Sequence, residues 1–159
     1  MRERRLVLLA MVASLVTVAT AFLKLPTPTG YIHLGDGIIY AAALAYGPSF
    51  GAVSGALGST LADLLGGYFI WAPWTFVIKG VAGWIVGRIG REKPRSTMLL
   101  SMVIAGFWTI AAYALGTAVL YSPASVPAEI LGNVVQVGSG LAIGAVLGPV
   151  LKSISSEGK

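Results

Sequence analysis

The sequence predicts an all-α membrane protein with six transmembrane helices and with both termini in the cytoplasm. Three observations predict this class. Of its 159 residues, 56% are hydrophobic and 11% are charged, whereas a soluble domain carries about 25% charged residues. All but one of its six apolar stretches reach or approach the roughly 17–25 residues that a spanning helix needs. Its basic residues cluster between those stretches, as the positive-inside rule describes.

The helices are expected in order along a single domain, 1–159, at about residues 6–22, 35–47, 49–66, 72–89, 97–121 and 128–151. A cleaved secretory signal is the alternative for the first stretch. Its apolar run, however, exceeds the usual length of about 7–15 residues, and more apolar stretches follow. The second stretch is short, which leaves open an earlier start near Ile32 or a partly broken helix. Prolines between residues 24 and 30 predict an extended loop, and Gly47-Pro48 predicts a tight turn.

Charge sets the expected orientation. With a cytoplasmic N-terminus and six spans, Lys24 falls outside and Lys79 falls within a span. The candidate polar residues then gather in the outer half of the membrane, which predicts a pocket closed below rather than a channel. The other nine of the eleven basic residues fall inside: Arg2, Arg4, Arg5, Arg88, Arg91, Lys93, Arg95, Lys152 and Lys159.

Ionisable groups inside apolar spans are costly and mark functional sites by default. Asp63 and Lys79 flank a short aromatic loop, and Asn133 and Gln136 follow Glu129 on one face of the last helix. Plainer interpretations stay open: an Asp63–Lys79 ion pair, aromatics at headgroup level, and an acidic N-cap on the second helix. The predicted substrate-binding residues are His33, Asp36, Asp63, Tyr68, Trp71, Trp74, Lys79, Glu129, Asn133 and Gln136.

Small residues recur at helical spacing on two helices. Gly51, Gly55 and Gly58 form a stripe on the third helix that predicts close helix packing. A stripe on the first helix is a candidate interface with a partner protein, formed by Ala10, Ser14 and Thr17.

Several function classes are excluded by composition. The absence of cysteine excludes disulfides and thiolate metal sites, and a lone histidine excludes two-histidine zinc motifs. No metal, cofactor or catalytic residue is therefore predicted. The net charge of +5 follows membrane topology, so no nucleic-acid partner is expected. The chain has no phosphate-binding Gly-x-x-x-x-Gly-Lys motif, so any ATP chemistry must come from a partner.

Residues 1–91 resemble a known family strongly, and residues 92–159 resemble it in general character. Tyr31-Ile-His-Leu-Gly-Asp36, Gly47-Pro48, the glycine-rich segment 51–66, Trp71-Ala-Pro73 and Ile78-Lys79-Gly80 carry the resemblance. This pattern is similar to the substrate-binding S component of energy-coupling factor (ECF) vitamin transporters, closest to the riboflavin-type branch.

The resemblance implies a multi-pass plasma-membrane protein that captures a water-soluble vitamin at its outer face. It implies as partners a transmembrane coupling subunit, two ATP-hydrolysing subunits and the lipid bilayer. It also implies that the stripe on the first helix contacts the coupling subunit, although Ser14 stands where the family often has alanine. The outer loops 24–32 and 67–73 would help to cover the ligand.

The expected ligand is a vitamin or heteroaromatic precursor on which Tyr68, Trp71 and Trp74 stack. Its charge stays open because the candidate residues carry both signs. Riboflavin, a thiamine-type pyrimidine, pantothenate and a queuosine-type precursor all fit the sequence. Two other functions also stay open: an intramembrane enzyme with His33 and two aspartates as acid and base, and a membrane scaffold without a ligand.

Overall fold

The computed structural model describes residues 2–157. The predicted all-α class is confirmed, and the six predicted helices are all present, with α1 and α6 longer than expected. They are α1 Arg2–Phe22, α2 Gly35–Tyr46, α3 Pro48–Gly66, α4 Ala72–Gly90, α5 Arg95–Leu120 and α6 Val126–Glu157.

Within residues 2–157, three stretches are long and apolar enough to cross a membrane, namely Glu3–Phe22, Arg95–Leu120 and Pro123–Ile154. The helices α3 and α4 have 19 residues each, and α2 has 12. At 1.5 Å per residue, α2 is about 18 Å long, well short of a hydrocarbon core of about 30 Å. It begins at Gly35 and not near Ile32, because a strand precedes it.

That strand belongs to a short hairpin above α2. Strand β1, Lys24–Pro26, pairs antiparallel with β2, Tyr31–His33. The turn between them is closed by Thr27, whose N–H donates to the Gly30 carbonyl at 2.9 Å. The segment 24–30 is extended as predicted, because its prolines exclude a helix. Its return as a paired strand was not predicted, since three residue pairs leave no clear alternation in the sequence.

Glycines set the close packing of the helices, as predicted for the third helix. A Cβ added at Gly83 of α4 would lie 2.3 Å from the Gly51 carbonyl oxygen of α3, and one at Gly58 would lie 2.6 Å from that of Ala13. At the predicted turn between α2 and α3, Gly47 has a φ of +101°, which favours glycine. Pro48 then occupies the first turn of α3, where its missing N–H costs nothing.

The predicted stripe on α1 divides between two environments. Thr17 is buried against α3, and its hydroxyl contacts the carbonyl oxygen of Gly58 at 2.9 Å. Ala10 and Ser14 are exposed on the outside of the bundle. Only these two positions are therefore free to meet a partner.

Candidate substrate-binding cavity

A small polar cavity lies at the end of the bundle where α2, α4 and α6 begin and α3 ends; we call this the cavity end. The hairpin, the α3–α4 turn and four helices supply its walls. Six of the ten predicted binding residues line it, namely His33, Asp63, Trp71, Glu129, Asn133 and Gln136. Gly30, Tyr31, Thr75 and Tyr113 complete the lining and were not among the predicted binding residues, although Gly30 and Tyr31 belong to the loop 24–32 that was expected to cover the ligand.

The cavity is narrow, with a volume of about 30 Å³. That space suffices for about one water molecule, whereas pockets for drug-sized ligands measure about 300 Å³ or more. The walls must therefore move before a vitamin-sized solute can enter. The connections on that side of the molecule are the hairpin, the α3–α4 turn and the α5–α6 connection, which contains the 3₁₀ turn Pro123–Ser125.

Asp63 is the least satisfied group in the cavity. Its side chain is only 2% exposed. The Tyr31 hydroxyl donates to Oδ1 at 2.5 Å, but no hydrogen-bond partner for Oδ2 exists in the part of the chain that the structure describes. Leaving a buried acceptor unpaired costs about 1–3 kcal/mol, and more when the group is charged. Because Asp63 lines the cavity, this oxygen is placed where a solute in the cavity could donate a hydrogen bond to it.

Glu129 closes the opposite wall with both of its oxygens bonded. The Asn133 amide donates to Oε1 at 2.6 Å, and the Thr29 hydroxyl donates to Oε2. The Thr29 carbonyl in turn accepts a hydrogen bond from the Trp71 indole at 2.8 Å. Thr29, at the tip of the hairpin, thus joins α6 to the α3–α4 turn across the top of the cavity.

Beneath the cavity lies an ion-pair network made by Asp36, Lys79 and Gln136. The two charged side chains are 1% and 0% exposed, and Lys79 Nζ lies 2.6 and 2.9 Å from the two carboxylate oxygens of Asp36. Gln136 donates to Asp36 Oδ2 at 3.1 Å and accepts from the backbone N–H of His33 at 3.2 Å. The hairpin is thereby tied to α2, α4 and α6.

This network corrects two interpretations of the sequence. Lys79 pairs with Asp36 and not with Asp63, because α2 and not α3 places its carboxylate at the level of the lysine. Asp36 makes no capping bond at the start of α2 either, since Lys79 and Gln136 take its oxygens. Neither residue lines the cavity.

His33 is held as a neutral imidazole. The backbone N–H of Gly35 donates to its Nδ1 at 3.0 Å, which leaves the ring proton on Nε2. Burial first, and then the nearby charge of Lys79, lowers the pKa of His33 to about 3. The ring therefore does not accept a proton near neutral pH.

The family model described as "ECF-type riboflavin transporter, S component" matches residues 1–153 of the chain. The chain belongs to this S-component family. A protein of Pyrococcus woesei, described as "Uncharacterized protein in gap 3'region", is 39% identical over 140 residues, which make up 86% of this chain and 94% of that protein. The resemblance seen in the sequence is confirmed. An S component is the membrane subunit that captures a vitamin for an ECF transporter, and it is not an enzyme.

Two predicted aromatic residues of this S component lie outside the cavity. The Tyr68 ring packs on Tyr31 with ring centroids 4.7 Å apart. Lys24 Nζ lies 4.8 Å from the centroid of Tyr31 and 5.3 Å from that of Tyr68. Trp74 instead lines a separate apolar groove between α4 and α5. Of the three predicted stacking residues, only Trp71 faces the cavity.

The lining residues that the sequence analysis missed differ in the signal they carry. Thr75 lies four residues before Lys79 and so shares its helix face, which could have marked it. Tyr31 lies two residues before His33, on the same face of a strand once the strand is known. Tyr113 is an aromatic residue within an apolar helix and carries no local signal.

Proposed function

We propose that this S component crosses the plasma membrane with six helices, keeps both termini in the cytoplasm, and captures a water-soluble vitamin from the extracellular side. One observation carries the proposal. A membrane-embedded bundle encloses two carboxylates, two carboxamides and three aromatic rings around one cavity near its end. Polar groups at such depth need partners, and a solute with donors and acceptors supplies them.

The distribution of charge supports an outward-facing cavity. Lys24 is the basic residue at the cavity end, whereas Arg88, Arg91, Lys93 and Arg95 lie at the opposite end of α4 and the start of α5. Loops rich in lysine and arginine remain in the cytoplasm. The short helix α2 has 12 residues and follows the hairpin at the cavity end, where the proposed topology puts the extracellular side.

The cavity walls suggest how the vitamin binds. Trp71, Tyr31 and Tyr113 provide aromatic contacts for a heteroaromatic ligand, and Asp63 and Asn133 bond its polar edge. Riboflavin, from the branch to which the family model refers, is the first candidate. Entry requires the hairpin to lift, which breaks the bonds that Thr29 makes to Glu129 and Trp71.

Transport then depends on partners. Family membership supports a transmembrane coupling subunit and two ATP-hydrolysing subunits, and the chain itself carries no phosphate-binding motif. The exposed Ala10 and Ser14 of α1 offer a small-residue surface on which a partner helix could pack closely. The proposal requires no metal or cofactor.

Native mass spectrometry of the freshly extracted protein tests this function. We expect one vitamin-sized adduct per chain, lost in Asn133→Ala and retained in Trp84→Phe, a matched control because Trp84 is half exposed and lies outside the cavity. Spectra with lipid adducts alone, together with no thermal stabilisation by any vitamin in a panel, would contradict vitamin capture and favour a scaffold.

A further inference from the structure

The charged side chains that line the cavity are acidic. Its lining holds two carboxylates, those of Asp63 and Glu129, and neither a lysine nor an arginine is among the lining residues that the structure describes. His33 also lines the cavity, but its lowered pKa of about 3 keeps it neutral. The lining therefore presents negative charge alone.

The nearest cations are engaged elsewhere. Lys79 lies below the cavity, where Asp36 holds its ammonium at 2.6 Å and the Tyr113 ring centroid lies 5.2 Å away. Lys24 lies on the hairpin over the rings of Tyr31 and Tyr68. Both lysines therefore already have partners of their own and do not line the cavity, although their charges still act on Asp63 from outside it.

The two carboxylates differ in what they can offer a ligand. Both oxygens of Glu129 already accept hydrogen bonds, whereas Asp63 Oδ2 accepts none from the residues described here. The Tyr31 hydroxyl donates to the other oxygen of Asp63, Oδ1, at 2.5 Å. Asp63 Oδ2 is thus a buried acceptor oxygen with no hydrogen-bond partner among the residues that the structure describes.

Three aromatic residues, Tyr31, Trp71 and Tyr113, line the same small cavity as Asp63. Two of these rings already have a cation near them, since Lys24 Nζ lies 4.8 Å from the Tyr31 centroid and Lys79 Nζ lies 5.2 Å from that of Tyr113. The preference for charge therefore comes from the carboxylates. An unpaired carboxylate oxygen favours a positively charged or N–H-bearing group and opposes an anion.

We propose that Asp63 determines the charge of the ligand: the cavity takes a solute that brings a cationic or N–H group to Asp63 Oδ2, and it rejects anionic vitamins. This proposal rests on the proposed function, because it names the class of solute for the same cavity. It answers the question of charge that the sequence left open, since Lys79, the positive member of the candidate set, belongs to the ion pair below.

A charge series of ligands tests the proposal on the intact wild-type protein. Riboflavin and riboflavin 5′-phosphate share a ring and differ by an anionic group, and thiamine is a heteroaromatic cation. By equilibrium titration we expect riboflavin to bind at least about tenfold more tightly than its phosphate. Equal or tighter binding of the phosphate would overturn the proposal, and this comparison needs no variant.

Asp63→Asn removes the charge and keeps the shape. We expect the affinity for thiamine to fall most and the affinity for riboflavin to fall less. The difference in affinity between riboflavin and its phosphate should shrink about tenfold. Glu92→Gln is the matched control, expected to leave this difference in affinity unchanged because its exposed carboxylate lies at the opposite end of the molecule. An unchanged difference in affinity in a folded Asp63→Asn protein would overturn the proposal. No binding of any of the three ligands would instead contradict vitamin capture itself.

Discussion

The molecule holds two adjacent layers of buried polar residues, and they differ in how completely their groups are bonded. In the ion-pair network, Asp36, Lys79 and Gln136 satisfy one another at 2.6–3.1 Å. In the cavity lining just above, Asp63 keeps an oxygen without a partner among the described residues. The hydrogen bonds of the ion-pair network are complete without a ligand, whereas the cavity lining keeps an acceptor oxygen to which a ligand can donate.

Hydrogen bonding distinguishes buried polar residues that stabilise the fold from those that are available to a ligand. A burial cost alone marks both layers equally, since charged groups are expensive wherever they sit in an apolar environment. The number of unsatisfied hydrogen-bonding groups distinguishes the two layers, because a fully bonded network is explained by its role in the fold alone. Variants of the two layers should therefore fail in different ways.

The largest effect is expected for Lys79→Met in the ion-pair network. The substitution leaves Asp36 buried without its counter-charge, which costs about 3–5 kcal/mol. Thermal unfolding in detergent should show a large loss of stability. The double variant Lys79→Met/Asp36→Asn should recover much of it, because the uncompensated charge is gone. A double variant no more stable than the single one would contradict the structural role of the pair.

The next effect separates the glycine packing from both polar layers. Gly83→Ala would place a methyl group 2.3 Å from the Gly51 carbonyl oxygen, and overpacking of this kind costs about 1–3 kcal/mol. Gly138→Ala is the control, because no atom lies within 4 Å of its added Cβ and alanine favours a helix by about 1 kcal/mol. The unfolding temperature should fall for Gly83→Ala and should stay the same or rise for Gly138→Ala. Equal effects would refute the packing account.

Asn133→Ala tests whether a residue of the cavity lining affects ligand affinity more than it affects stability. It removes the amide that donates to Glu129 at 2.6 Å, and so loosens the wall that contacts the ligand. We expect riboflavin affinity to fall about tenfold, near 1.4 kcal/mol, with a smaller change in unfolding temperature. Calorimetric titration beside thermal unfolding measures both. A loss of stability without a loss of affinity would move Asn133 into the structural layer.

The smallest effect concerns His33, which touches both layers. Its pKa of about 3 in the folded protein lies below 6.5, so the unfolded chain binds more protons between these values. Stability that is present above pH 6.5 is therefore lost on acidification, by about 1 kcal/mol between pH 7 and 5.5. His33→Gln should lose this part of the pH dependence. An identical pH profile for both proteins would show that His33 is not held neutral.

Much of the fold was predictable because membrane helices carry strong sequence signals. Apolar length, the glycine stripe and Gly47-Pro48 specified the helices and one turn closely. The hairpin escaped prediction because its pairing is set by contacts beyond the strands, such as Gln136 accepting from His33. The count of six spans stays a prediction, since only three stretches pass on length and composition among the residues described.

The sequence predicted which residues belong to the site better than it predicted which of them bond to one another. Helical spacing identified Glu129, Asn133 and Gln136, and charge in an apolar span identified Asp63. Which acid takes Lys79 depends on the relative heights of α2, α3 and α4, and no local pattern encodes those heights. Tyr113 was missed for the same reason, because only the packing of α5 brings it to the cavity.

Protection of an introduced thiol tests directly whether riboflavin binds in this cavity, and the absence of native cysteine makes each introduced thiol unique. Thr75→Cys places a single thiol in the cavity lining, and Ala124→Cys places one on the exposed 3₁₀ turn at the same end. With a methanethiosulfonate reagent added from outside, saturating riboflavin should slow modification of Thr75→Cys at least about tenfold and leave Ala124→Cys unchanged. Equal rates for Thr75→Cys with and without the vitamin would contradict capture of riboflavin in this cavity.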